Sequence, residues 1–209
     1  KFDDVVMAKK LSKILSAERA TNYKTWIHVG WTLYNISPKL LNYFKNFSKK
    51  CKNKYDENEC EKIWYRAKEG GFTIASLHYW AKKDNPTEYL NILRENINDL
   101  FTEAESGTEF DIASIIYELY KYDYVCSSIK NNTWYEFSNH RWKEVESGYT
   151  LKTRISDELT KEFAHLVSYY YQQASLKEGK EREMNMNKGE NIQKIMKNLK
   201  RPGFKSRLM

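Results

Sequence analysis

Tyr23-Lys24-Thr25-Trp26-Ile27-His28-Val29-Gly30-Trp31-Thr32-Leu33-Tyr34-Asn35-Ile36 is the stretch on which the fold turns. Trp26, Ile27, Val29, Gly30 and Leu33 recur in it at helical spacing, so it reads as a helix with one apolar face. Thr21 or Asn22 can cap it from in front, and Ser37-Pro38 restarts a helix behind it through a cap and a first-turn proline, running to about Cys51. Towards the amino end, Val5, Val6, Ala8, Leu11, Ile14 and Leu15 line one face of a helix over residues 4–20, which makes a helical hairpin with the next. Towards the carboxyl end, Cys60, Ile63, Trp64 and Ala67 give a helix over Asp56 to Lys68, stopped by Gly70-Gly71. Thr73 then caps Ile74 to Lys82, Asp84-Asn85-Pro86 ends that helix, and Pro86 opens another that reaches about Ala104. Glu105-Ser106-Gly107-Thr108 is small, polar and aperiodic, which places a boundary between domains 1–104 and 109–209.

Beyond a helix at Asp111 to Lys121 the pattern changes. Tyr124 to Ser127, Thr133 to Phe137 and Arg141 to Val145 are rich in β-branched and aromatic residues. Lys130-Asn131-Asn132 and Ser138-Asn139-His140 separate them, which predicts a small antiparallel meander. Trp134, Phe137 and Trp142 are expected on its core side, because so small a sheet needs an apolar face to be stable. A long helix follows from Leu151 to Leu176, with Phe163, Leu166 and Tyr170 inward. The Tyr169-Tyr170-Tyr171 triplet spans more than one face of it, so Tyr169 and Tyr171 are candidates for contact with a neighbouring subunit. Glu178 to Glu190, charged and poor in apolar residues, reads as a mobile loop. Ile192, Ile195, Met196 and Leu199 form a last stripe before Arg201-Pro202-Gly203. The fold class expected is mainly α: a helical bundle, then a helical domain with a small antiparallel β-meander.

Lysine and arginine number 35 against 28 acids, a net charge of +7, which favours an anionic partner. Charge interrupts every apolar run well short of the roughly 20 residues of a membrane span. The chain starts at Lys1 without a secretory leader and is expected to be an internal piece of a larger protein. Cys51, Cys60 and Cys126 form no Cys-x-x-Cys pair, which argues against a disulfide framework or structural zinc and fits a reducing, intracellular compartment.

No Gly-x-x-x-x-Gly-Lys-Ser/Thr loop is present to cradle a nucleotide's phosphates. Asp3-Asp4 sits where carboxylates favour a helix start. His28, His78, His140 and His165 are scattered without metal-ligand spacing; His28 and His78 read as packing residues and His140 as a turn residue. No catalytic or metal-binding residue is therefore expected. Two basic stretches remain. Lys39, Lys45, Lys49, Lys50, Lys52 and Lys54 form an acid-free run interleaved with Tyr43, Phe44, Phe47 and Tyr55, a mixture suited to a single strand's phosphates and bases. The same run also reads as a core face of Leu40, Leu41, Phe44 and Phe47 beneath solvated lysines. From Lys177 to Met209 ten basic residues face four acids, with Lys197, Lys200, Arg201, Lys205 and Arg207 crowded at the end. That tail suits nucleic acid, an acidic neighbouring domain, or a solvated linker.

The order Trp26-Ile27-His28-Val29-Gly30-Trp31-Thr32-Leu33, Phe44 to Ser48, Glu61-Lys62-Ile63-Trp64, Gly70-Gly71-Phe72-Thr73-Ile74-Ala75-Ser76-Leu77 and Trp80-Ala81 resembles the type 2 primase C-terminal domain of viral and mobile-element replication proteins, over about residues 5–92. Trp134-Tyr135-Glu136-Phe137, His140-Arg141-Trp142 and Leu151 to Leu159 are similar to the domain before the superfamily 3 helicase in poxvirus-type and giant-virus primase-helicases. The resemblance implies the middle of a large viral helicase-primase. It supplies no catalytic residue here; ATP and magnesium are expected of the parent protein, not of this stretch. DNA, flanking primase and helicase domains and a hexameric ring are the implied partners, and the host cytoplasm or a viral replication site the implied location. A free-standing protein for single-stranded or primer-template DNA, and a metal-dependent nucleic-acid enzyme with acids not recognised by spacing, are the alternative readings.

Overall fold

The computed structural model describes residues 2–67, 70–138 and 141–209. By its contacts the chain divides into Lys1–Asn96 and Ile97–Met209.

In the first unit, helix α1 (Phe2–Ile14) is separated from α2 (Ala17–Thr21) by Ser16, whose side chain accepts from the Arg19 N–H and so caps α2. One expected helix is thus two. Asn22 caps α3 (Tyr23–Ile36) by accepting from the N–H groups of Lys24 and Thr25. A 3-10 turn at Pro38–Leu40 leads into α4 (Leu41–Ser48), and Asp56 caps α5 (Glu57–Tyr65). A Thr73/Ser76 capping box starts α6 (Ile74–Asp84), which is followed by α7 (Pro86–Glu103), whose residues from Ile97 on belong to the second unit. Leu11, Val29, Leu33, Phe44, Phe47, Trp64 and Leu77 are buried. Gly30 lets α4 approach α3, because a Cβ there would lie 2.8 Å from the Phe44 ring. Arg19 grips Asp84 through two N–H donors at 2.8 and 2.6 Å, while the Ser16 N–H donates to the same carboxylate at 2.9 Å. Burial alone would raise the Asp84 pKa, but those donors hold it below the ordinary carboxylate value. The two histidines expected to pack do so: His28 lies 4.4 Å from the Phe72 ring, and buried His78 shares a 3.0 Å hydrogen bond with the Tyr89 hydroxyl.

In the second unit, Thr108 caps α8 (Glu109–Tyr120), and three strands follow: β1 (Tyr124–Ser128), β2 (Thr133–Ser138) and β3 (Arg141–Glu146). They form an antiparallel sheet in the order β1-β2-β3. Trp134 pairs with Val145 and Phe137 with Trp142. Residues three apart on a strand face opposite ways, so Trp134 and Val145 are buried while Trp142 stands 47% exposed on the other face, its ring tilted against that of Phe137 at 5.2 Å between centroids. This corrects the expectation of a common core side. His140, expected at a turn, lies outside the described residues.

Helix α9 (Tyr149–Arg154) runs through a π turn at Ile155–Leu159 into α10 (Thr160–Ser175). Arg154 Nη1 donates to Asp123 at 2.6 Å and Nε to Glu158 at 3.0 Å, with the guanidinium 4.5 Å from the Tyr120 ring centroid. Arg154 thereby ties the π turn to α8 and to the start of the sheet. Residues 178–190 are not a loop: helix α11 (Gly179–Leu199) begins there. Its early turns are supported by the Lys177–Glu181 ion pair at 3.1 Å and by contact with α10, where Gly189 faces the Tyr171 ring. Phe163, Tyr170, Ile192, Ile195 and Leu199 fill the core, and Leu208 of α12 (Pro202–Leu208) joins them.

Candidate nucleic-acid interface

The two basic stretches meet different fates in space. In the first, Lys45 projects from α4 onto α5, where Nζ donates to Glu57 at 2.8 Å and Glu61 at 2.6 Å. Those hydrogen bonds, to Glu57 first and then Glu61, raise its pKa above the usual lysine value. Lys50 Nζ donates to the carbonyls of Lys13 at 2.6 Å and Leu15 at 2.5 Å, at the end of α1, and partial burial lowers its pKa. Lys54 Nζ reaches the Thr21 carbonyl, the last of α2, at 3.2 Å. These two ammonium groups satisfy the orphan carbonyls of helix C-termini, where the helix dipole also favours a cation. Lys49 lies 5.5 Å from the Tyr55 ring centroid and keeps its charge in solvent. Lys52 is exposed, and no ion pair or side-chain hydrogen bond takes it up among the described residues.

The carboxyl-terminal group behaves differently. Lys205 donates to the Lys152 carbonyl and the Ser156 hydroxyl, and Arg207 pairs with Glu109 at 2.7 Å, so both serve the fold. Lys197, Lys200 and Arg201 are exposed at the end of α11, and no acid pairs with them among the described residues. Lys194, which sequence reasoning passed over, is exposed one turn earlier and extends this row. Its signal was the three-residue spacing of 194, 197 and 200, which puts the lysines along one side of the helix.

The tyrosine pair also separates. Tyr169 is 52% exposed on α10, whereas Tyr171 is half-buried with its ring against Gly189 of α11.

A further feature lies in the first unit. Tyr23, Trp26, Lys54, Tyr55, Asp56 and Glu59 help to line a cavity of about 250 Å³. Burial raises the pKa of Cys60 on its wall, so that thiol is protonated at neutral pH and unsuited to nucleophilic attack. Among the described residues no group of three or more His, Cys, Asp or Glu could hold a metal ion, and no helix is long and apolar enough to cross a membrane.

Comparison with known proteins follows this division of the chain. Residues 8–81 match the family described as Primase C terminal 2 (PriCT-2). A "Putative helicase" of Acanthamoeba polyphaga mimivirus is 39% identical over 98% of this chain and 22% of its own length. A "Putative helicase" of Frog virus 3 (isolate Goorha) is 35% identical over 71% of this chain and 15% of its own. A "Putative primase" of African swine fever virus (isolate Pig/Kenya/KEN-50/1950) is 28% identical over 61% of this chain and 15% of its own. The chain thus spans about a fifth or less of these relatives. Over residues 8–81 it matches the Primase C terminal 2 family, within a stretch similar to part of much larger viral proteins named as helicases and primases.

Proposed function

We propose that this chain is a non-catalytic, DNA-associated module of a viral replication helicase-primase, which holds DNA and helps to assemble the protein around it. The observation that carries this reading is the row Lys194, Lys197, Lys200 and Arg201, exposed and without acid partners at the end of α11. Cations left unpaired on a surface attract phosphates and release their counterions on binding. Lys49 and Lys52 give a second, smaller basic surface on the first unit; Lys45, Lys50 and Lys54 are engaged within the fold. ATP hydrolysis with magnesium is then work for other parts of the parent protein, inside the infected cell. Tyr169, exposed on α10, is the side chain offered to a neighbouring subunit of a hexameric ring.

Lysine acetylation footprinting with and without a single-stranded oligonucleotide tests the assignment. Lys194, Lys197 and Lys200 should be protected by the strand, while Lys45, its pKa raised by two glutamates, should react slowly in both samples. Equal labelling of the three α11 lysines with and without bound strand contradicts it.

A further inference from the structure

We infer that the cavity between α2, α3 and the start of α5 is a receptor for a single unstacked nucleobase. The inference rests on the DNA-associated reading above for the source of that base, but its chemistry stands on the cavity. At about 250 Å³ it falls below the roughly 300–1,000 Å³ of ordinary small-molecule sites and suits one planar ring system. Its walls include the rings of Trp26 and Tyr55, with Tyr23, 62% exposed and 5.7 Å from Trp26, at the rim. Aromatic faces of this kind stack on bases of any sequence.

Polar groups in the same place select a base over an aliphatic or aromatic side chain. The Tyr55 hydroxyl is buried with no hydrogen-bond partner, a costly arrangement that a ring nitrogen or carbonyl would relieve. The Trp26 indole N–H is already given to the Ser48 hydroxyl at 2.7 Å, so Tyr55 supplies the unmet donor. Asp56 and Glu59 line the cavity as acceptors. Acceptors match the exocyclic amino groups of cytosine, adenine and guanine. Lys49 sits over Tyr55, so positive charge stands where a phosphate flanking an inserted base would pass.

The test compares a fluorescein-labelled strand of deoxycytidines with one of the same length carrying abasic sites, using fluorescence anisotropy on the whole chain. The deoxycytidine strand should bind more tightly than the abasic strand. Tyr55→Phe, which keeps the ring and removes the hydroxyl, should weaken deoxycytidine binding about fivefold and leave the abasic strand unchanged. Cys51→Phe, which fills the cavity from its wall, should act the same way, and Tyr23→Ser at the exposed rim gives a third variant that does not disturb the interior. If the wild-type chain binds deoxycytidine and abasic strands alike, or if all three variants retain the preference, the cavity is not a base receptor although the DNA reading stands. If no strand binds, the DNA reading fails and a titration with deoxycytidine monophosphate decides the cavity. A shift of the Trp26 indole resonance that Tyr55→Phe diminishes then supports a free-nucleotide site, and no shift overturns the inference.

Discussion

Lys50 shows how a residue's neighbours in space decide its role. Two carbonyls at the end of α1 accept from its ammonium group, so the charge closes a helix and is poorly placed for an outside phosphate. Lys50→Met should lower the stability of the first unit by about 1 kcal/mol, read as a shifted urea midpoint, while single-strand affinity at full folding stays unchanged. Asp84 makes a pH prediction. Its folded-state pKa is depressed, so its stabilising effect is complete above the unfolded carboxylate value of about 3.9 and is lost as the pH falls through the folded value. Acid titration should therefore unfold the first unit below about pH 4. Asp84→Asn should remove that dependence and cost about 3 kcal/mol at neutral pH by stranding the mostly buried Arg19. An unaltered acid limb in the variant would assign the transition to other carboxylates. The lysine run was legible in sequence as a cluster without acids, yet its partners Glu57 and Glu61 lie just beyond it and fold back as the next helix. Contiguous charge counts cannot see that return.

At the level of elements, most helices were legible because their signals are local. Asn22 and Thr73 cap where capping residues were sought, whereas α5 ends at Tyr65, ahead of Gly70 and Gly71, which were expected to stop it. The error at residues 178–190 has a physical cause: α11 is apolar only in its later turns, so its first half has no stripe to read and is held by α10 and an ion pair. Trp142 was misplaced because composition marks a strand while its face depends on register. Close packing between α3 and α4 gives a sharp test. Gly30→Ala places a methyl group within 2.8 Å of the buried Phe44 ring and should destabilise the first unit by about 2 kcal/mol despite alanine's better helix propensity. A stability equal to the parent in urea titration would mean that the ring yields freely. On α10, Tyr169→Ser should leave the circular dichroism melt unchanged and lower assembly of the longer protein that includes the motor, measured by light scattering. Tyr171→Ser should instead lower the melt, because its ring packs against Gly189. Full assembly by Tyr169→Ser would remove α10 from the subunit contact.

For the molecule as a whole, the sequence conveyed the mainly α class, the meander and the basic balance. It could not convey which cations remain available once the chain is folded, nor the cavity, whose lining comes from residues 20–26 and 48–60. Binding of a single strand by the whole chain over a salt series tests the central claim most directly. With Lys194, Lys197, Lys200 and Arg201 each meeting a phosphate, log affinity should fall with log salt at a slope of about −3, and Lys197→Glu/Lys200→Glu/Arg201→Glu should flatten it to about −1. A slope unchanged in the triple variant, or no binding by the parent chain at low salt, contradicts the account.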